Sequence, residues 1–131
     1  MRLFRRREPK TTRELAALGE EHAARYLASR GYRIRERNFR LGRGPEIDII
    51  AEHRDVLVFV EVKARTSSNV LQAREAVTQG KERQIARAAA TYLGLRERRE
   101  RVTRFDIVEV YLTPDGRPER IEIIEGAFKA R

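Results

Sequence analysis

Hydrophobic positions recur at helical spacing in two stretches of the chain. The first runs from about Thr12 to Arg30. Its start, Thr11-Thr12-Arg13-Glu14, has the spacing of a capping box, and Gly31 offers a C-terminal stop. The second stretch runs from about Leu71 to Leu93, and Lys81 interrupts its otherwise apolar face. The pattern therefore predicts two amphipathic helices.

Between and after these helices the pattern alternates or becomes wholly apolar, which is typical of β-strands. The predicted strands are Tyr32 to Phe39, Pro45 to Ala51, Val56 to Lys63, Thr103 to Leu112 and Glu119 to Ile124. Arginines at positions 33, 35 and 37 predict that the first strand is a solvated sheet edge. The order αβββαββ predicts an α/β fold with a single mixed β-sheet flanked by helices.

The length and composition of the chain predict one compact domain. With 131 residues and 40% hydrophobic content there is room for one modest core. We expect residues 1–10 to form a flexible basic N-terminal arm and residues 11–131 to form the domain. Cysteine is absent and the two histidines lack zinc-site spacing, so disulfides and a zinc centre are not expected. No apolar run suits a signal peptide or a membrane span, so we expect a cytoplasmic protein without a membrane partner.

The charge of the chain indicates an anionic partner. The formal net charge is +9, the pI is about 10.7, and arginine supplies 25 of the 29 basic residues. Guanidinium groups form bidentate hydrogen bonds with phosphates, and a domain this basic has the electrostatic character of a nucleic-acid-binding protein. The alternative is a generally charged surface with no such partner. The basic arm leaves the same two interpretations open, phosphate contact or a solvated tail.

Charged residues concentrate at one place in the predicted sheet. Glu46 and Asp48 lie on the second predicted strand, and Glu61 and Lys63 end the third, which is otherwise almost wholly apolar. Side chains alternate along a strand, and neighbouring strands lie about 4.8 Å apart, so carboxylates of the two strands can share an ion. Charges at the end of a buried strand are costly unless they are compensated, and a divalent cation would compensate them.

These residue types suit phosphodiester hydrolysis. The reaction needs a hard cation that polarises the phosphoryl oxygen, and magnesium prefers one or two carboxylates with retained waters and substrate oxygens. Asp48 and Glu61 meet that need, and Lys63 could orient the water or stabilise developing negative charge. Glu20 could supply a third acid from the first helix. Lys81 could reach the site from the second helix, or extend its ammonium into water.

An ordered set of short motifs resembles the small bacterial family called YraN over about Leu15 to Phe128. The motifs are Gly19-Glu20 with Ala23, Tyr26-Leu27, Gly31-Tyr32, Asn38 with Arg40, Glu46 to Ala51, Phe59 to Lys63 with Arg65, and Arg104-Phe105-Asp106. Pro45 is a departure, since the family usually has glycine directly before the Glu-Ile-Asp triplet. The family is similar to Holliday-junction resolvases and other members of the restriction-endonuclease-like PD-(D/E)xK superfamily.

The resemblance implies a restriction-endonuclease-like core that uses Mg2+ or Mn2+. Matched one at a time, the implied catalytic residues are Glu20, Asp48, Glu61 and Lys63, with Asp48 and Glu61 as the metal ligands. Further candidates for the site are Glu46, Lys81 and Gln84. Candidate nucleic-acid contacts are Arg40, Arg43 and Arg65.

Three functions are consistent with the sequence. The favoured one is a metal-dependent nuclease that hydrolyses phosphodiesters in nucleic acid, DNA ahead of RNA, with branched or single-stranded DNA as candidate substrates. The second is a non-catalytic nucleic-acid-binding module on a nuclease scaffold, and the third is a protein-interaction adaptor. Strong salt dependence of DNA binding would separate the adaptor from the other two. A homodimer is left open.

Overall fold

A computed structural model of the chain describes residues 8–66, 79–97 and 101–128. Residues 1–7 of the predicted basic arm and residues 71–78 of the predicted second helix lie outside these ranges. The described helices and strands are α1 Thr12–Ser29, β1 Arg33–Phe39, β2 Ile47–His53, β3 Val56–Thr66, α2 Gln79–Arg96, β4 Thr103–Leu112 and β5 Pro118–Phe128. This order confirms the predicted αβββαββ arrangement and the α/β fold.

The boundaries of α1 follow from its sequence. The backbone N–H of Glu14 donates to Thr11 Oγ1 at 3.1 Å, and the Glu14 carboxylate accepts from the Thr11 N–H at 2.8 Å. The predicted capping box is therefore formed. At the other end the chain leaves the helix through Gly31, whose φ of 90° suits glycine far better than other residues.

The five strands form one mixed sheet in the order β1-β2-β3-β4-β5. Neighbouring strands are antiparallel except for β3 and β4, which are parallel and are joined through α2, as a parallel pair requires. β1 is an edge strand, as its arginine row predicted. β3 runs three residues further than predicted because its pairing with β4 continues to Thr66 opposite Leu112.

Both faces of the sheet are covered, so the apolar core has two halves. The half on the α1 side contains Ala23, Leu27, Ile49, Val58, Val60, Val108 and Val110. The half on the α2 side contains Ile47, Ile50, Phe59, Ile85, Tyr92 and Phe105. This explains the almost continuous apolar run of β3, since a strand buried on both faces needs apolar residues at every position. Neither helix in the described ranges is long and apolar enough to cross a membrane.

Gly19 brings α1 into close contact with β3. A Cβ atom added at Gly19 would lie 2.8 Å from the Ala64 Cβ, which is too short for two carbon atoms. The missing side chain therefore lets the helix approach the end of β3. Its neighbour Glu20 is carried to the same end of the sheet.

Gly19→Ala is therefore expected to lower the free energy of unfolding by about 1–3 kcal/mol, the usual cost of overpacking a core. Gly94→Ala is the matched control, because a Cβ at Gly94 in α2 meets nothing within 4 Å. We expect that control to gain about 0.5–1 kcal/mol from helix propensity. Urea unfolding of both variants checks the pair. Equal effects of the two substitutions would contradict the close contact.

Candidate metal centre

Three acids converge where β2 begins. Glu20 of α1, Glu46 just before β2 and Asp48 within it each place one carboxylate oxygen within 4.8 Å of the others. We call these three residues the acidic cluster. The strand itself starts at Ile47, two residues after Pro45, so the predicted start of β2 at Pro45 is wrong. Proline has no N–H to donate to the ladder, which accounts for the later start.

Strict side-chain alternation fails at this end of β2. Ile47 and Ile50 pack in the same half of the core, the one on the α2 side, although they are three residues apart. The pairing of β2 with β3 begins only at Ile49, opposite Val60, so Ile47 and Asp48 lie beyond that ladder. Glu46 and Asp48 are two residues apart along the chain, and the packing of α1 against the sheet adds Glu20 to them.

Asn38 orders the acidic cluster from β1. Its Nδ2 donates to Glu20 Oε1 at 2.8 Å and to Glu46 Oε1 at 2.9 Å. Its backbone has a φ of 54°, a left-handed conformation that asparagine tolerates better than most residues. Asn38 belongs to the family motifs but is not among the predicted site residues. Its place at the end of a predicted strand, before a glycine-rich loop, is the feature of the sequence that could have indicated a special backbone conformation at Asn38.

Asp48 is the most deeply buried of the three acids, with 9% of its surface exposed. Its Oδ2 accepts a hydrogen bond from the Val62 backbone N–H at 2.8 Å. Burial, and next the charge of Glu61, raise the pKa of Asp48 from 3.8 to about 7. Near neutral pH this carboxyl is thus close to half protonated, and a bound cation would favour its ionised form.

Glu61 is held by two lysines beside the acidic cluster. Lys81 Nζ donates to Glu61 Oε1 at 2.7 Å, and Lys63 Nζ lies 3.7 Å from the same oxygen. Burial, and next the charge of Lys81, lower the pKa of Lys63. Of the two alternatives for Lys81, the structure shows the one in which it reaches the site.

The other predicted site residues lie at different distances from the acids. Arg40 Nη2 lies 3.8 Å from Glu46 Oε2. Arg65 is half-buried, and its charge contributes to the lowered pKa of Lys63. Arg43 and Gln84 are exposed. The predicted ligand pair of Asp48 and Glu61 stays a prediction, and Glu20 and Glu46 are the acids that lie closest to Asp48.

The acidic cluster fits a hard divalent cation. It offers three carboxylate oxygens close enough to share one ion, and hard cations prefer oxygen ligands. The buried Asp48, whose charge is otherwise disfavoured, is the residue that would gain most from the ion. Both the oxygen donors and the burial of Asp48 therefore favour a bound divalent cation.

A family model described as "Uncharacterised protein family UPF0102" matches residues 19–110 of the chain. The chain belongs to the UPF0102 family. A UPF0102 protein of Symbiobacterium thermophilum is 45% identical over 119 residues, which cover 91% of this chain and 99% of the relative. A UPF0102 protein of Moorella thermoacetica is 43% identical over 118 residues, which cover 90% and 98%. These matches confirm the resemblance to YraN, the same family.

The UPF0102 match spans every acid of the candidate site. Glu20 is its second residue, and Glu46, Asp48 and Glu61 lie well inside it. A relative in Trichlorobacter lovleyi, 46% identical over 112 residues, covers 85% of this chain and 87% of its own length. The acidic cluster therefore belongs to the shared UPF0102 domain and not to a terminal extension.

Proposed function

We propose that this UPF0102 protein is a metal-dependent nuclease that hydrolyses phosphodiesters at the acidic cluster. The observation that carries the proposal is the convergence of Glu20, Glu46 and Asp48, near Glu61, in a protein with a formal net charge of +9. Three clustered carboxylates repel one another and favour a bound cation, and the substrate that suits the basic surface is itself anionic. A cytoplasmic location is proposed from the sequence.

The acidic residues and the lysine would have different roles in the reaction. Glu20, Glu46 and Asp48 would hold Mg2+ or Mn2+, with Glu61 available once a substrate or an ion draws it from its lysines. Such an ion supplies the polarisation of the phosphoryl oxygen and the lowered pKa of an attacking water. The ammonium of Lys63 lies 3.7 Å from Glu61 Oε1 and is suited to stabilise the negative charge that develops on the phosphoryl oxygens.

Arginines near the acids would hold the nucleic-acid backbone. Arg40 lies beside Glu46, Arg65 lies near Lys63, and Arg43 is exposed in the loop between β1 and β2. Each guanidinium can donate two parallel hydrogen bonds to one phosphate. We propose DNA ahead of RNA as the partner, with branched or single-stranded DNA as the substrates to test first.

A cleavage assay tests the proposal. Labelled junction, flap, single-stranded and duplex DNA, and RNA, are incubated with the purified protein in Mg2+, in Mn2+ and in chelator. We expect cleavage of at least one substrate with either ion and none in chelator. Asp48→Asn should remove the activity. No cleavage of any substrate by the wild type would overturn the nuclease.

The second candidate is a non-catalytic nucleic-acid-binding module. The net charge of +9 favours it, because electrostatic binding needs no acids. This candidate expects DNA binding that weakens steeply with salt and is indifferent to Asp48→Asn. Binding and cleavage measured on the same substrates therefore separate the two candidates.

A further inference from the structure

A pocket of about 370 Å³ lies at the other end of β2 from the acidic cluster. It is lined by Tyr26, Tyr32, His53, Arg30, Arg54 and Glu125. His53 lies five positions after Asp48 on β2, which at about 3.3 Å per residue is about 16 Å along the strand. The pocket is therefore separate from the acidic cluster. We call it the aromatic pocket.

Two stacked rings form part of its wall. The rings of Tyr32 and His53 have centroids 4.1 Å apart and lie within 2° of parallel. The Tyr32 hydroxyl donates to Asp106 Oδ2 at 3.3 Å and accepts from Arg104 Nη2 at 2.9 Å. The same Arg104 nitrogen lies 3.4 Å from His53 Nδ1. Both rings are thus held in position before any ligand arrives, which reduces the entropy cost of binding.

The acid of the Arg104–Asp106 pair that holds these rings is fully buried, and its arginine is half-buried. Asp106 has no exposed surface and accepts from Arg104 Nε at 2.9 Å, from Arg104 Nη2 at 3.0 Å and from the Gly126 N–H at 3.0 Å. A buried ion pair often contributes no more stability than apolar residues of the same volume. Its value here is that it fixes the orientation of Tyr32 and His53.

Two guanidinium groups complete the pocket. Arg54 follows β2 in the tight turn to β3, where Arg54 has a φ of 52° and Asp55 a φ of 66°. Such turns favour asparagine and glycine, and other residues pay roughly 1–2 kcal/mol in this conformation. Arg30 caps α1 and donates to the Tyr26 hydroxyl at 2.6 Å, with its guanidinium 4.9 Å from the Tyr26 ring centre.

We propose that the aromatic pocket binds a nucleoside monophosphate group. A planar base suits the aromatic wall, and the phosphate suits the guanidiniums of Arg30 and Arg54. The Glu125 carboxylate can accept a hydrogen bond from an amino group of the base. The group can come from a free nucleotide or from the 5′-phosphorylated end of a strand. The proposal does not depend on metal binding or on cleavage at the acidic cluster.

A titration of the intact 15N-labelled protein with AMP in chelator tests the proposal. We expect saturable chemical-shift changes that are centred on the aromatic pocket. Adenosine and inorganic phosphate alone should each bind at least about tenfold more weakly, because each lacks half of the contacts. Phosphate binding as tightly as AMP, or no binding of AMP at millimolar concentration, would overturn it.

Two variants localise the binding. Arg54→Asn removes the cation but keeps a residue that accepts the left-handed turn, and His53→Leu removes the outer ring. Each should weaken AMP binding about tenfold. Arg83→Asn, an exposed arginine of α2 with the same change of charge, is the matched control and should bind as the wild type does. Equal weakening in all three variants would indicate unspecific charge attraction and overturn the site.

Arg54→Asn should not destabilise the turn between β2 and β3, so its effect on AMP binding can be interpreted directly. Because asparagine suits the left-handed conformation, Arg54→Asn should melt at or above the wild-type temperature, so a loss of AMP binding cannot be assigned to unfolding. A 5′-phosphorylated oligonucleotide, its 5′-hydroxyl counterpart and AMP then identify the source. If the 5′-phosphorylated oligonucleotide binds more tightly than AMP and than its 5′-hydroxyl counterpart, the natural ligand is a strand end. If it binds no more tightly than AMP, the natural ligand is a free nucleotide.

Discussion

Lys63→Ala is expected to reduce metal-dependent cleavage at least about a hundredfold while leaving nucleic-acid affinity within a factor of about two. The ammonium lies 3.7 Å from Glu61 Oε1, and Glu61 is close enough to Asp48 to raise the pKa of that acid, so we expect Lys63 to act on the charge of the transition state. Removal of one such preorganised group typically costs roughly 100- to 1,000-fold in rate. Affinity should survive because the formal net charge falls only from +9 to +8, and many arginines remain.

The matched control is Lys10→Met, which removes an exposed lysine and the same unit of charge away from the acids. It should cleave and bind as the wild type does. Lys63→Met retains most of the apolar stem of the side chain and guards against a packing defect in Lys63→Ala. Undiminished cleavage in both Lys63 variants would mean that the chemistry takes place elsewhere on the protein.

Asp48→Asn is expected to stabilise the metal-free protein at pH 8 by about 2–4 kcal/mol, because each pH unit between the folded and unfolded pKa values corresponds to about 1.36 kcal/mol. The pKa of Asp48 is raised from 3.8 to about 7, so the folded state holds this proton more tightly than the unfolded chain. That contribution to stability is complete below about pH 4 and is lost as the pH rises through about 7. Asparagine cannot ionise, and its oxygen can still accept from the Val62 N–H.

Urea unfolding in chelator at pH 5 and pH 8 measures this difference. The advantage of Asp48→Asn should be clearly smaller at pH 5 than at pH 8, because pH 5 lies only a little above the unfolded pKa of 3.8 and well below the folded pKa of about 7. Asp55→Asn, an exposed change from carboxylate to amide in the β2–β3 turn, should alter stability by less than about 0.5 kcal/mol at either pH. A destabilised Asp48→Asn at pH 8 would contradict the burial of an uncompensated charge.

Glu61→Gln should behave in the opposite way to Asp48→Asn. The Glu61 carboxylate is shared by Lys81 and Lys63, so its loss leaves two ammonium groups close together without their partner. We expect a loss of about 1–3 kcal/mol in unfolding free energy, measured by urea unfolding at pH 8 in chelator. An equal or higher stability would mean that the two lysines do not depend on Glu61.

The fold could be predicted largely from local signals. The capping box at Thr11 and the apolar run of β3 each specify an element by residues that are close together in the sequence. The length of β3 and of β5 could not be predicted in this way, because pairing with β4 extends both strands. Strand ends depend on a partner that is distant in sequence.

The sequence pattern singles out candidate site residues by type, but it does not predict which of them lie together. Asp48, Glu61 and Lys63 stood out because charges interrupt an apolar strand pattern. The partners of these residues could not be read from strand alternation, because Glu20 reaches Asp48 from α1 and Lys81 reaches Glu61 from α2. The role of Asn38 also depends on tertiary contacts between β1 and α1.

Binding of Mn2+ to the acidic cluster is the most direct test of the account. Calorimetric titration of the metal-free protein near pH 7.5 should show one ion per chain in the wild type. Asp48→Asn should lose that ion, and Glu122→Gln, which replaces an exposed acid of β5, should keep it. Mn2+ should also raise the melting temperature of the wild type but not of Asp48→Asn, since the ion binds only the folded state. Equal Mn2+ affinity in wild type and Asp48→Asn would contradict a metal centre at these three acids.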